Sequence, residues 1–322
     1  AAGNLFHAVD RLTELPEATF IVVPTPSKQD GGFDNALVLG AARGVGVFLR
    51  DAAFYKLVVV VSTVMPGQTE ETKRILESVS GKKCGLDFGL CYNPEFVALG
   101  SVLHDLQAPD FVLIGESDGK AGRMLQNILA LGVPAYHTNF VNAELAKLSI
   151  NTFLTTKIIF ACMMARLAEK LPGADVDVVS NIVGTDSRIG RKYLTGANGF
   201  GGPCFPRDNQ ALMRLASGLG VSARLPRAVV EMNTEQIWSL NSKIIALAGE
   251  KGSALIMGMA YKPGTAVTEQ SQGVMLVGQL KSVRTLCYDA LAVGFLTRRE
   301  AQEAIGQVGV VVLMQPDPDF LS

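Results

Sequence analysis

Short, unbroken apolar runs that stop at turn residues restrict this chain more than any other feature. Thr19–Val23 (TFIVV) stops at Pro24-Thr25-Pro26, and Leu57–Ser62 (LVVVVS) stops at Thr63-Val64-Met65-Pro66-Gly67. A weaker run, Asp87–Cys91, leads into Tyr92-Asn93-Pro94-Glu95-Phe96, and Phe111–Ile114 is a fourth. Helical patterns over Ala36–Leu49, Gln68–Val79 and Gly119–Leu129 lie between them. A strand that is apolar on both faces must be covered on both, and interleaved helices supply that cover. The first third therefore predicts a parallel α/β sheet. The last third repeats the pattern, with strands at Ala254–Met257, Val283–Cys287 and Val308–Leu313 and a helix at Gln272–Leu280. The middle differs. Asn142–Leu171 is one long helical pattern ending at Pro172-Gly173, and further helical patterns reach Ser242 around the glycine-rich stretch Gly196–Gly202. The plan is α/β, all-helical middle, α/β.

Composition narrows the function. The 322 residues carry 29 Lys and Arg against 30 Asp and Glu, a net charge of −1. Bulk basicity of the kind that nucleic acids or membrane surfaces attract is missing, so neither is expected as a partner. No unbroken apolar run reaches the roughly 18 residues that cross a bilayer; the longest candidate, Leu148–Ala165, is interrupted by Asn151 and Lys157. The opening AAGNLFHAVD has neither the basic nor the apolar region of a secretory leader. The five cysteines are odd in number and scattered, without CxxC pairs or metal spacing. They read as reduced thiols of a cytoplasmic protein that binds no metal.

In an open parallel sheet, ligands bind beyond the carboxyl ends of the strands. Here those ends carry Val23-Pro24-Thr25-Pro26, Ser62-Thr63-Val64 and Asn93-Pro94-Glu95. Hydroxyls and a carboxylate at one edge suit a cofactor and a reacting group, while each of them also reads as ordinary turn chemistry. No GxGxxG follows a strand, and Gly40–Gly46 (GAARGVG) sits inside a helical pattern.

The densest chemical signal is Gly199-Phe200-Gly201-Gly202-Pro203-Cys204-Phe205-Pro206-Arg207-Asp208. Its glycines would let a ligand approach the backbone closely. Pro206 fits the first turn of a helix running to about Ser217. That puts Cys204 just ahead of a helix start, whose partial positive charge favours a thiolate, and Asp208 about one turn on. On the long helix, Glu144, Lys147 and Asn151 share one face. A cation beside an amide suits a developing oxyanion, and a solvated face fits the same spacing. Arg188 and Lys262 are candidate contacts for an anionic ligand.

Six motifs in order resemble the UDP-glucose/GDP-mannose dehydrogenase family: VPTP (23–26), STV…PG (62–67), YNPEF (92–96), NAELxKxxxN (142–151), GFGGPCFPRD (199–208) and YKPGT (261–265). The cysteine motif is most similar to the UDP-glucose 6-dehydrogenase branch. The resemblance implies two Rossmann-like parallel-sheet domains joined by a central all-helical dimerisation domain. It would make residues 1–140 the NAD-binding domain, 141–242 the helical domain and 243–322 the nucleotide-sugar domain. It also implies a four-electron oxidation of a nucleotide-sugar C6 alcohol by NAD. Cys204 would be the nucleophile, Lys147 and Asn151 the oxyanion partners, and Asp208 an assistant through water. Glu95 would be the general acid/base, with Thr63 beside the hydrolytic water. Val23, Pro24, Thr25, Pro26, Ser62, Thr63 and Val64 would contact NAD. Glu95, Phe96, Val97, Lys147, Asn151, Phe200, Gly201, Tyr261 and Lys262 would line the UDP-sugar site, with Arg188 reaching it from a second subunit. The family's opening glycine-rich strand–turn–helix has no counterpart in this sequence, and Leu99, Thr195 and Glu269 stand where the family has charged residues.

Two other readings stay open on the residues alone. One is a two-electron hydroxyacid dehydrogenase that uses Lys147 and does not need Cys204. The other is a non-catalytic nucleotide-sugar-binding module. Whichever reading holds, the apolar surface of the long helix Asn142–Leu171 exceeds what one layer covers, so a homodimer through that helix is expected.

Overall fold

The structure, a computed structural model, describes residues 13–249, 252–317 and 320. The opening segment read above for a leader lies outside them. The chain forms two compact units: residues up to Val97 with Val102–Lys147, and Ala98–Ser101 with Leu148 onward.

The first unit comprises β1 (Ala18–Ile21), α1 (Ala36–Arg50), β2 (Lys56–Val60), α2 (Gln68–Ser80), β3 (Phe88–Tyr92), α3 (Val102–Gln107), β4 (Val112–Glu116), α4 (Gly119–Leu129) and β5 (Ala135–Thr138). It ends in the first turns of α5 (Phe140–Ala168). α3, although its residues follow Ser101, belongs here with β4. The sheet order is β1-β2-β3-β4-β5. β2 shows why the apolar runs are continuous. Val58 and Val60 pack with Val38, Ala42, Val45 and Leu49 of α1, while Leu57 and Val59 pack with Ala121 and Leu125 of α4. Both faces of the strand are covered, as the pattern required.

β1, β2 and β3 are mutually parallel. The expectation of a wholly parallel sheet needs correction beyond them. β4 runs antiparallel to β3 through Cys91↔Glu116 and Tyr92↔Gly115, and β5 is parallel to β4. A parallel crossover needs a helix packed on the sheet, and the connection from β3 to β4 has only α3, which buries none of its six residues. β5 (AYHT) is short and half exposed, so no apolar run announced it.

The second unit comprises the rest of α5, then α6 (Val176–Thr185), α7 (Phe205–Gly218), α8 (Arg224–Ala248), β6 (Ser253–Met257), α9 (Gln272–Gln279), β7 (Arg284–Tyr288), α10 (Arg298–Ile305) and β8 (Val310–Leu313). Its sheet is parallel throughout, in the order β7-β6-β8. Ala254 and Ile256 pack with Ile237, Ile244 and Ala248 of α8 and Leu276 of α9. Leu255 and Met257 pack with Ala301 and Ala304 of α10.

α5 also corrects the membrane reading. Averaged over 18 residues rather than counted as an unbroken run, its mean hydropathy of 1.5 is enough to cross a bilayer by length and composition. Yet within the second unit its buried side carries Asn151, Thr152 and Thr155 among apolar residues. Asn151 donates to Asp208 of α7, and Asn209 of α7 donates to Thr155. Those bonds mark the core helix of a helical domain. Its apolar Phe153, Phe160 and Leu167 are exposed.

The start of α4 gives a test of the first unit. Asp118 caps it by accepting from the amides of Lys120 and Ala121, and also receives the Tyr55 hydroxyl at 3.1 Å and the Ser117 hydroxyl at 2.8 Å. Asp118→Ala removes the cap and strands the half-buried Tyr55 hydroxyl. Urea unfolding followed by circular dichroism should register a loss of about 1–3 kcal/mol.

Candidate active site

Because β1, β2 and β3 are parallel, the segments that follow them leave one edge of the sheet. Hydroxyls stitch the first two together. Ser62 Oγ donates to the Val23 carbonyl (2.7 Å) and accepts from the Val23 amide (2.9 Å). Thr25 Oγ1 donates to the Thr63 carbonyl at 2.8 Å. Both hydroxyl protons are thus spent on main chain, and their effect is to fix the edge. Val64 has its side chain wholly within the core, so only its main chain can serve a ligand.

The third segment meets α5. Lys147, only 7 % exposed, donates from Nζ to the Glu95 carbonyl at 2.6 Å and lies 4.6 Å from the centre of the Phe96 ring. That ring packs against Phe111 at 5.1 Å. Burial pushes the Glu95 carboxyl above the usual glutamate range, and the Lys147 charge pulls it part of the way back. Val97, half-buried, follows directly. One turn before Lys147, fully buried Glu144 accepts from the amides of Gly67 (2.6 Å) and Thr69 (2.7 Å) at the start of α2. Spacing placed Glu144 on the face of Lys147 but gave it no role, because its partners are 75 and 77 residues away in sequence.

In the second unit, Cys204 immediately precedes α7, and its carbonyl accepts the Asp208 amide at 2.8 Å. The thiol is exposed, at the helix end whose dipole favours an anion. Asp208 is fully buried. Asn151 Nδ2 donates to its Oδ2 at 2.5 Å, and Arg207 Nε donates to its Oδ1 at 3.2 Å. Two buried residues that the sequence did not single out anchor the loop ahead of Cys204. Asn233 accepts from the Phe200 amide (2.8 Å) and donates to its carbonyl (3.0 Å), and Gln272 donates to the same carbonyl (2.6 Å). These bonds make Phe200 an anchor of the loop. Its ring is buried beside Ile159 and Val229, and both its main-chain groups are bonded.

The glycines also have another use than ligand approach. A Cβ on Gly201 would strike the Gln270 carbonyl, and one on Gly202 (φ +81°) would lie 2.7 Å from the Tyr261 ring. What comes close to this backbone is the chain itself. Burial raises the affinity of the Tyr261 hydroxyl for its proton, and negative charge on Cys204 adds to that. Lys262 is half-buried, with Nζ 5.9 Å from the Tyr261 ring centre. Arg188 stands apart. Its side chain is 86 % exposed and pairs with Asp186 at 2.6 Å. Among the described residues no three of His, Cys, Asp or Glu gather where they could hold a metal ion.

Residues 2–131 match the NAD binding domain of the UDP-glucose/GDP-mannose dehydrogenase family, and residues 141–235 match its central domain. The UDP-glucose 6-dehydrogenase of Rhizobium meliloti is 32 % identical over 99 % of this chain and 77 % of its own length. The chain belongs to this family. The UDP-glucose 6-dehydrogenase TuaD of Bacillus subtilis is 34 % identical over 85 % of the chain, which spans 59 % of that protein's length. A UDP-glucose dehydrogenase structure from Pyrobaculum islandicum superposes with a TM-score of 0.83 at 33 % identity, covering 94 % of this chain and 73 % of that one. The chemistry of the stitched ends of β1 and β2 suits a cofactor held by apolar contact and by main chain. Val23, Pro24 and Pro26 are apolar there, and the Thr25 and Ser62 hydroxyls are already satisfied.

The Glu95 shift has a definite sign. A carboxyl held above its unfolded value contributes stability that is complete below about pH 4, its unfolded range, and is lost as pH rises through its higher folded value. Glu95→Gln removes this loss. The melting temperature of the variant relative to the parent should rise from about pH 4 to pH 7, and a constant difference would contradict the burial effect.

Proposed function

We propose that this chain is an NAD-dependent nucleotide-sugar 6-dehydrogenase that oxidises a UDP-sugar, UDP-glucose by preference, at C6 from alcohol to carboxylate. One observation carries the reading. An exposed thiol heads α7, one turn ahead of a buried carboxylate that Asn151 and Arg207 hold in place. The names of the relatives agree with it.

Two NAD, bound in succession, would each accept one hydride. In the first oxidation the C6–H hydride is lost, the hydroxyl proton passes to water, and an aldehyde forms. The Cys204 thiolate adds to the aldehyde carbon, and the Lys147 ammonium and Asn151 amide stabilise the resulting oxyanion. Loss of the second hydride converts this thiohemiacetal to a thioester. Water then attacks the thioester carbon, the C–S bond breaks, and carboxylate and thiol are released. Glu95 moves the proton of that water, Thr63 lies beside it, and Asp208 assists through a water. The raised affinity of Glu95 for its proton supports that role, since a general acid/base works best near the operating pH. Gly201, Tyr261, Lys262, Phe96 and Val97 would contact the nucleotide sugar.

We propose further that the chain works as a cytoplasmic homodimer. The exposed apolar residues of α5, Phe153 and Phe160 among them, support a subunit contact. So does the exposure of Arg188, which would serve the neighbour's substrate.

The protein mixed with limiting UDP-glucose should yield two NADH per sugar, and a yield of one would favour the two-electron reading. Cys204→Ser should lose acid formation by a factor of about 10³ or more while keeping UDP-glucose affinity in calorimetry. Turnover at the parental rate would refute the covalent route. Sedimentation equilibrium should report about twice the chain mass of 34.2 kDa; a single-chain mass at micromolar concentration would remove the dimer.

A further inference from the structure

We propose that Glu144 is a positioning residue that sets where the end of β2 meets NAD, an inference that rests on the function proposed above.

The start of α2 needs an outside acceptor. Gly67 is its N-cap, held at φ +96°, and has no side chain to receive the first amides of the helix. Those amides turn to Glu144, from another element of the same unit. Its two oxygens accept from Gly67 at 2.6 Å and from Thr69 at 2.7 Å. Glu144 is fully buried. Burial pushes its carboxyl up, while bonds from Thr69 and Gly67 hold it down. A buried carboxylate is tolerated when amide donors and the positive end of a helix dipole meet it, and here both do.

The placement matters because of what lies between. Ser62 and Thr63 are tied to β1's extension by the Ser62–Val23 pair and by the Thr25 hydroxyl. Gly67 and Thr69 are tied to Glu144. The segment from Ser62 to Thr69 is thus pinned at both ends, and it includes the residues proposed to touch cofactor and hydrolytic water. One turn on from Glu144, Lys147 holds the Glu95 carbonyl. Two adjacent turns of α5 therefore fix two of the three strand-end segments. Removing the Glu144 charge should release one and spare the other.

Glu144→Gln keeps the volume but sets an NH2 group against an amide donor, so one bond is lost and the other weakened. Hydrogen exchange of the peptide covering residues 62–72 should accelerate by about tenfold or more, the scale of one hydrogen bond to a charged acceptor. NADH should bind about tenfold more weakly in a fluorescence titration, and UDP-glucose affinity should stay within about twofold. Glu144→Asp, which keeps the charge but shortens the reach, should fall between parent and Glu144→Gln on both measures. A purely structural role would lower the melting temperature and leave NADH affinity alone, and that result overturns the proposal. Unchanged exchange over 62–72 overturns it as well. If Glu144→Gln does not fold, the same two measurements on Glu144→Asp decide by the same criteria. If the parent oxidises no nucleotide sugar, the catalytic reading falls, while exchange and NADH binding still judge Glu144 separately.

Discussion

Helix α5 buries polar groups and shows apolar ones, and the chemistry proposed for this chain draws on that arrangement. Leu148, Ile159, Ala161 and Cys162 are buried, but Leu145, Phe153, Phe160 and Leu167 are not. Apolar residues occur around the whole helix, so hydrophobic burial alone leaves its rotation undetermined. The buried polar residues determine it. A buried charge without a partner costs several kcal/mol; turning the helix by one residue, about 100°, would strip partners from Glu144 and Lys147 in the first unit, and in the second unit the same turn would strip the partner from Asn151. Each finds its own: the first amides of α2, the Glu95 carbonyl and the Asp208 carboxylate. The requirement that positions these groups is the same one that fixes the helix.

The loop before Cys204 is rigid for a related reason. Its glycines leave room for the Gln270 carbonyl and the Tyr261 ring. Asn233 grips one residue of it by both main-chain groups, and Gln272 adds a second donor to the same carbonyl. Such a loop cannot reorganise cheaply when a substrate arrives, which suits the role of nucleophile proposed for Cys204. Cys204 is the exposed end of an otherwise packed segment.

The sequence made these features legible to different depths. Doubly covered strands announce themselves through unbroken apolar runs, so β1, β2, β3 and the second sheet were readable to within two or three residues. Helix α4 was readable to the residue, since Asp118 and the Gly119 start mark it. Strand direction was not, because Val112–Ile114 reads the same whichever way it runs. β5 and α10 had no apolar run to betray them. At the site, Cys204, Asp208 and Pro206 could be placed because a helix start is local chemistry. Asn233, Gln272 and the partners of Glu144 could not, because each acts on backbone many residues away and looks, in sequence, like any polar residue of a helix. Phe200 sits inside a recognisable motif, but the motif did not announce that its ring is buried and that both its main-chain groups are bonded.

Glu95 illustrates how burial and charge divide the labour at such a site. A carboxylate beside an ammonium would ordinarily be held ionised well below its usual range. Here burial outweighs the neighbouring Lys147, and the net displacement is upward. Part of the capacity of Lys147 is committed to the carbonyl of Glu95 rather than to its carboxylate. That arrangement fixes the position of the residue through its main chain and leaves its carboxyl free to gain or lose a proton nearer neutrality. In the role proposed for Glu95, a group that hands a proton to and from water gains from being located by one part of itself and reactive through another.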